Sequence, residues 1–165
     1  MSGEGGLVEV KLISFPLRLY ERSMEHWDGL MREFALLRMD TAVPGQVPGR
    51  LLDLVERLEA TYSRMASEGD EARDRALAEG REVVDLTYRV PPGAGQAAAE
   101  LRRTMAEADE YCRSGNELLT VARPEEIRLF GEWFLDQFTS QLDGQPPRSW
   151  PEWRASATTS GPPGT

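Results

Sequence analysis

Residues 17–34 read LRLYERSMEHWDGLMREF and carry the clearest periodic pattern in the chain. Apolar side chains recur along them at intervals of three and four residues: Leu17, Tyr20, Met24, Trp27, Met31 and Phe34. In a helix of 3.6 residues per turn, this spacing places all six side chains on one stripe. Ser14 and Pro16 precede the stretch, and proline fits a first helical turn because its missing N–H would be unpaired there. The stretch therefore predicts a long amphipathic helix that begins near Pro16.

Three further segments have the same spacing and predict three more helices. The second helix follows the Pro-Gly-rich loop 40–49 and begins near Leu51, and Gly69 predicts a kink or a short turn within it. The third helix carries Cys112 on its apolar stripe. The fourth opens at Pro124, where two glutamates follow in the first turn and complement the positive end of the helix dipole.

Two short segments alternate between apolar and polar residues, which is typical of half-buried strands. They are LVEVKLI at residues 7–13 and VVDLTYRV at residues 83–90. A strand needs a partner for its backbone groups, so we expect the two to pair as a small ribbon, parallel or antiparallel, with its apolar face on the helices. The predicted fold class is mainly α: a four-helix bundle with a two-stranded β-ribbon at one side.

The chain has 165 residues, of which 40% are hydrophobic. This size supports one sizeable core and not two independent ones. We expect a single domain over residues 1–153, with residues 1–6 flexible. The last part, residues 154–165, contains no large apolar side chain and is predicted to be disordered. Before it, Trp150 and Trp153 lie in a short segment predicted to be irregular, from which they would anchor the chain end on the bundle.

The chain is acidic, with 19 Lys and Arg residues against 28 Asp and Glu residues and a net charge of −9. This balance argues against binding to nucleic acid or to an anionic membrane, because both need clustered basic side chains. No apolar run approaches the ~20 residues of a membrane span, and the first residues do not have the pattern of an export signal. We therefore expect a cytoplasmic protein.

The residues that could carry chemistry are few. His26 is the single histidine and Cys112 the single cysteine, which excludes mechanisms with two imidazoles and multi-cysteine metal sites. Neither a phosphate-binding loop nor a nucleophile elbow is present. The sequence therefore predicts no catalytic residue, no metal and no cofactor. A Cys112–His26 nucleophilic pair is the one enzymatic alternative, although a thiol on an apolar stripe is usually inert.

Two segments resemble a known group of proteins: VKLISFPLRLYERSMEHWDGLMREFALL at residues 10–37 and RPEEIRLFGEWFLDQFTSQLDGQPPRSWP at residues 123–151. They are similar to small actinobacterial regulatory proteins associated with STAS-type anti-sigma-factor antagonists and histidine-kinase-like ATP-binding regulators. The Asn and Gly-rich ATP-lid motifs of the kinase-like partners are missing from this chain. The resemblance therefore implies a regulatory accessory and not the kinase.

Two functional hypotheses follow, and self-association is possible under both. The first is a non-enzymatic module that binds another protein, an ATP-binding anti-sigma-type regulator or a STAS protein, in a partner-switching pathway. Trp and Arg are favoured interface anchors, and the residues expected to contact the partner are Arg22, His26, Arg32, Trp150 and Trp153. The alternative is a small-molecule sensor with an aromatic pocket between the first and fourth helices, lined by Trp27, Phe34, Phe130 and Phe134.

Overall fold

A computed structural model describes residues 6–40, 46–114 and 121–159 of the chain. Within these ranges the fold is mainly helical, with five helices and one two-stranded antiparallel sheet. The elements in chain order are β1 (Val8–Pro16), α1 (Leu17–Asp40), α2 (Val47–Ala78), β2 (Val83–Val90), α3 (Ala94–Arg113), α4 (Glu125–Leu142) and α5 (Trp150–Thr159). Of the predicted flexible N-terminus, residues 1–5 lie outside the described residues.

The two predicted strands pair with each other, which confirms the predicted ribbon. They run antiparallel, with Val10 opposite Tyr88 and Leu12 opposite Leu86. Side chains of β2 alternate strictly between exposed and buried, so that one face of the sheet is wet and the other packs against the helices. The apolar face forms part of the main core, as the alternation predicted.

β1 extends three residues beyond its predicted end at residue 13. The pairing register shifts between Leu12 and Phe15, and Ser14 in between adopts a positive φ of 56°. The backbone N–H of Ser14 donates to Asp85 Oδ1 at 2.8 Å, which supports the irregular backbone. The bulge turns Phe15 into the core, and Pro16 ends the strand instead of opening the helix.

The predicted four-helix bundle is not confirmed, because the buried apolar residues divide into two clusters and a fifth helix is present. The larger cluster, here the sheet core, joins both strands to α4 and to one end of α1, α2 and α3. The smaller cluster, here the helix core, joins the other end of α1 to α2 and α3 and consists of Leu30, Phe34, Leu51, Met105 and Ala108.

α2 continues as a helix through Gly69, so the predicted short turn is wrong. The reason is a close contact between this helix and the sheet. A Cβ atom on Gly69 would lie 2.5 Å from Cε1 of Tyr88, which is closer than carbon atoms approach. The absence of a side chain at position 69 therefore allows the Tyr88 ring to pack directly against the helix backbone.

α5 was not predicted as a helix. Ser149 Oγ accepts from the backbone N–H of Glu152, and Glu152 Oε2 accepts from the backbone N–H of Ser149, a reciprocal capping box that starts the helix. Trp150 and Trp153 lie in α5 and not in an irregular segment. The prediction of disorder from residue 154 is wrong for residues 154–159, which are helical, and residues 160–165 lie outside the described residues.

α4 covers the outer edge of β1 through one side chain. Gln141 Oε1 accepts from the backbone N–H of Lys11 at 2.9 Å, and Gln141 Nε2 donates to the Lys11 carbonyl oxygen at 2.8 Å. The same Nε2 donates to Gln137 Oε1 at 2.9 Å. Gln141 therefore satisfies both backbone groups of Lys11 that do not face β2.

None of the helices in the described part of the chain combines the length and the apolar character needed to cross a membrane.

Candidate functional site

A cavity of about 500 Å³ lies among α1, α2, α3 and α4, with β2 contributing to its floor. Its lining is mainly apolar. Eight aromatic rings contribute to the wall: Phe15, Tyr20, Trp27, Tyr62, Tyr88, Phe130, Phe134 and Phe138. Met24 also lines the cavity and is 36% exposed, so the cavity reaches solvent along α1. A cavity of this size and lining is typical of small-molecule sites.

Three of the four aromatic residues predicted for a pocket line this cavity: Trp27, Phe130 and Phe134. Phe34 does not, because it lies in the helix core, fully buried, with its ring centroid 5.7 Å from that of Tyr111. The tyrosines of the wall were not predicted. Tyr20 lies on the same helical stripe as Trp27, and Tyr88 lies on the buried face of β2. The spacing of α1 and the alternation of β2 therefore already indicated that both tyrosines face the interior.

A polar cluster interrupts the apolar wall where α2 meets β2. Asp70 Oδ1 accepts from the Tyr88 hydroxyl at 3.0 Å and from Arg73 Nη1 at 2.9 Å. The Arg73 guanidinium also lies over the Tyr20 ring, 4.5 Å from its centroid, in cation–π geometry. Burial, followed by the charge of Asp70, raises the pKa of Tyr88 far above its usual range. The Tyr88 hydroxyl is therefore a permanent hydrogen-bond donor at neutral pH.

A buried ion pair joins α3 to the segment before α4. Arg123 Nη2 donates to Asp109 Oδ2 at 2.8 Å, and Arg123 Nε donates to both carboxylate oxygens at 3.1 Å. Their side chains are only 9% and 5% exposed. A Cβ atom on Gly131 would lie 2.7 Å from Arg123 Nη1, so the glycine in α4 leaves room for the guanidinium beside the cavity.

The five residues predicted to bind a partner do not form one surface. Arg22 and Arg32 are exposed on α1, and neither forms an ion pair within the described residues. His26 lines the cavity, and its Nε2 donates to the Val121 carbonyl oxygen at 2.8 Å, since a carbonyl can only accept. Trp150 and Trp153 are half-buried.

The two tryptophans of α5 pack on the sheet core. Their rings stack with centroids 6.2 Å apart, and Trp150 also meets Trp133 at 5.8 Å and Phe130 at 6.1 Å. This is the anchoring role that the sequence suggested for them. It leaves only part of each ring for a partner, so Arg22 and Arg32 are the most accessible of the five predicted residues.

Cys112 is half-buried at the edge of the helix core. Burial, followed by the nearby charges of Asp109 and Glu33, raises the pKa of its thiol. A raised pKa disfavours the thiolate, which is the nucleophilic form. The surroundings of Cys112 are therefore those of a packed thiol, and His26 is engaged with Val121.

The described residues contain no group of three or more His, Cys, Asp or Glu side chains arranged to hold a metal ion. Comparison with protein-family models, curated proteins and solved structures finds no match for the chain.

Proposed function

We propose that the protein binds a small, largely apolar molecule in the cavity among α1, α2, α3 and α4, and acts as a small-molecule sensor. The observation that carries the proposal is an aromatic cavity of about 500 Å³ that remains open between tightly packed elements. The cavity opens to solvent along α1, so its apolar wall is exposed to water. A solvent-accessible apolar surface on a folded protein often marks a ligand-binding groove, which supports a binding role.

The polar groups of the wall support the same proposal, because they are few and held in place. Asp70 fixes the Tyr88 hydroxyl on one side, and Arg73 is held by Asp70 and by the Tyr20 ring. Sites for small molecules typically combine an apolar lining with a small number of fixed polar groups that orient the ligand.

α1 connects the cavity to the protein surface, so it could transmit ligand binding to a partner-binding face. Its inner face contributes Tyr20 and Trp27 to the wall, and its outer face carries Arg22 and Arg32. A ligand that contacts the inner face would change the packing of the helix that presents the outer face. Sensing and partner binding are therefore compatible functions of one element.

The test is a pair of variants on α2. Ala66 lines the cavity, and Ala60 is exposed on the same helix and does not line it. In Ala66→Phe the added ring occupies cavity volume, so binding of the neutral apolar dye N-phenylnaphthylamine should fall at least about tenfold. Ala60→Phe adds the same ring to the surface and should bind the dye as the wild type does.

Binding is measured by dye fluorescence, and a screen of metabolites by thermal shift identifies the natural ligand. A ligand at 100 times its Kd should stabilise the folded state by about 2.7 kcal/mol. One dye site per chain in the wild type, lost in Ala66→Phe only, supports the proposal. A wild type that binds neither dye nor metabolite, or two variants with equal affinity, contradicts it.

The second candidate function is the binding of a protein partner by α1. Arg32, Leu36 and Met39 recur at intervals of four and three and share one helix face, where Leu36 is 61% and Met39 82% exposed. Exposed apolar side chains beside an arginine are typical of interaction surfaces. The identity of the partner as an anti-sigma-type ATP-binding regulator or a STAS protein remains the prediction drawn from the resemblance.

The partner proposal is tested by charge reversal. We expect Arg22→Glu with Arg32→Glu to abolish retention of such a regulator on the tagged protein without lowering the melting temperature. Arg64→Glu with Arg81→Glu, at exposed positions on α2 and in the segment after it, makes the same charge change away from α1 and serves as the control. Equal retention by both double variants would refute α1 as the binding surface.

A further inference from the structure

A second hollow lies on the other side of the Arg123–Asp109 ion pair. It is a cleft of about 650 Å³ between α3 and α4, and we name it the basic cleft. Five arginines line it: Arg102, Arg103, Arg113, Arg123 and Arg128. Two carboxylates, Asp109 and Glu132, share the lining, and Glu110 and Glu125 beside it pair with Arg113 and Arg128. Five arginines against these four carboxylates leave one excess positive charge, whereas the chain as a whole has a net charge of −9.

The basic cleft and the aromatic cavity share a wall. Met105, Arg123, Gly131 and Leu135 line both. The wall is therefore one layer of side chains thick, and Arg123 is its charged member. Gly131 has no side chain and therefore does not cover the guanidinium. Of the four shared residues, Arg123 alone has a polar side chain.

The arginines of the basic cleft have unused capacity for hydrogen bonds. Arg123 uses its backbone N–H, Nε and Nη2 on Asp109, whereas its Nη1 has no hydrogen-bond partner among the described residues. Arg102 and Arg103 are exposed and form no ion pair within residues 6–40, 46–114 and 121–159. An anionic group placed at the wall would accept from Nη1 of Arg123, whose guanidinium Asp109 already holds in position.

From this arrangement we propose that the ligand of the cavity is a single-chain amphipathic anion, with its apolar chain among the aromatic rings and its anionic head at the Arg123 guanidinium, which lines the cavity. The proposal rests on the proposed function and names the chemical class of its ligand. Aromatic rings and a guanidinium side by side match an alkyl or aryl chain that ends in a carboxylate or a phosphate.

The polar cluster of Asp70, Arg73 and Tyr88 supports a different ligand, one with a cationic head group. Asp70 and Asp74 outnumber Arg73 there, and Arg73 is bonded to both. A cationic head group would be drawn to this side instead. The test must therefore compare anionic, neutral and cationic ligands that carry the same chain.

The experiment measures displacement of N-phenylnaphthylamine from the full-length protein by decanoate, decyl phosphate, decanol and decyltrimethylammonium, each below its micelle concentration. We expect at least one of the two anions to bind about tenfold or more tightly than decanol, since its head gains charge-assisted hydrogen bonds. The ratio of the two anion affinities identifies the head group as carboxylate or phosphate. Added salt should reduce the preference for the anion, because the cleft is open to solvent.

Two double variants locate the head group. Arg102→Ala with Arg103→Ala removes two free guanidinium groups from the cleft side of the shared wall, whose charge attracts the head group through that wall, and should cut the preference for the anion several-fold. Arg18→Ala with Arg64→Ala removes the same charge from exposed positions outside both hollows and should leave the preference intact. Neither double variant removes a buried side chain, so both should fold.

Failure of the inference is distinguishable from failure of the proposed function. If decanol displaces the dye as well as the anions do, or if the cationic ligand binds most tightly, the inference is wrong and the cavity remains a ligand site. If the dye fails to bind the wild type, both are wrong. Equal loss of the anion preference in the two double variants would show a general charge effect and overturn the placement of the head group.

Discussion

Gly69 and Tyr88 show how one residue sets the distance between a helix and the sheet. Replacing Gly69 by alanine would favour a helix in isolation, by up to about 1 kcal/mol. Here the new methyl group would lie 2.5 Å from the Tyr88 ring, which must move or strain the sheet core. We expect Gly69→Ala to lower the free energy of unfolding by about 1–3 kcal/mol, the usual cost of overpacking. Urea denaturation measures it.

Gly49 provides the matched control, because it lies in the same helix with room for a methyl group. Its added Cβ would lie 3.7 Å from Cδ of Arg38, an ordinary van der Waals contact. Gly49→Ala should therefore be neutral or slightly stabilising. Similar destabilisation at both positions would contradict a specific clash with Tyr88.

The interpretation of Gly69 as a break in the helix shows where single-residue prediction from sequence reaches its limit. Glycine is unfavourable inside a helix, so its presence marks either a break or a close approach by another element. The two cases have the same local sequence. Only the position of the Tyr88 ring distinguishes them, and that ring is contributed by a strand nineteen residues further along the chain.

At the scale of elements, α5 is a short helix whose attachment rests on its tryptophans. The Trp150 ring packs against Trp133 and Phe130, whereas the Trp153 ring stacks on Trp150. We expect Trp150→Ala to lower the free energy of unfolding by about 2 kcal/mol and Trp153→Ala by about 1 kcal/mol, because Trp150 packs against more aromatic rings of the core. Chemical denaturation of both variants checks the order. A larger destabilisation by Trp153→Ala would contradict this packing.

The elements that were predicted correctly are those whose pattern is long or strictly alternating. The strands were found because β2 alternates at every position, and α1 because its stripe continues for five turns. α5 was missed because proline and small polar residues surround it, although the capping box at Ser149 and Glu152 was readable in the sequence. Its apolar contribution is two tryptophans, too few to establish a period.

At the scale of the whole molecule, α1 is long enough to contribute side chains to both the sheet core and the helix core, and the cavity lies along it. α1 has 24 residues and spans about 36 Å, more than one small core is wide. One apolar stripe therefore contributes Phe34 to the helix core and Trp27 to the cavity wall. Periodicity assigns both residues to the same face and contains no information about which neighbours they meet. For this reason three of the four predicted pocket residues line the cavity, whereas Phe34 lies in the helix core.

The alkaline stability of the whole molecule depends on very few groups, since the chain contains one lysine, one cysteine and four tyrosines. The pKa values of Cys112, Tyr20 and Tyr88 are all raised, in each case mainly by burial. A raised folded-state pKa gives stability that is complete below the unfolded pKa and is lost as pH rises above it. We therefore expect stability to fall above about pH 9, where the unfolded thiol and then the unfolded tyrosines ionise.

Tyr88→Phe tests this dependence, because it removes the tyrosine with the largest shift. The variant loses the hydrogen bond to Asp70 and should be less stable at neutral pH, yet its stability should fall less steeply above about pH 10, where an unfolded tyrosine ionises. Urea denaturation of both proteins at several pH values gives the two slopes. Parallel curves for the variant and the wild type would contradict the assigned cause.

The side chain of Gln141 offers Lys11 one acceptor and one donor, the same pair that a neighbouring strand would offer. Free strand edges are templates on which other chains add strands, and natural proteins block them. Here a helix does so with one amide, so a strand from another copy would have to displace Gln141 before it paired at Lys11. The sheet is closed to extension at this point, and any assembly of copies through that position must use helical surfaces instead.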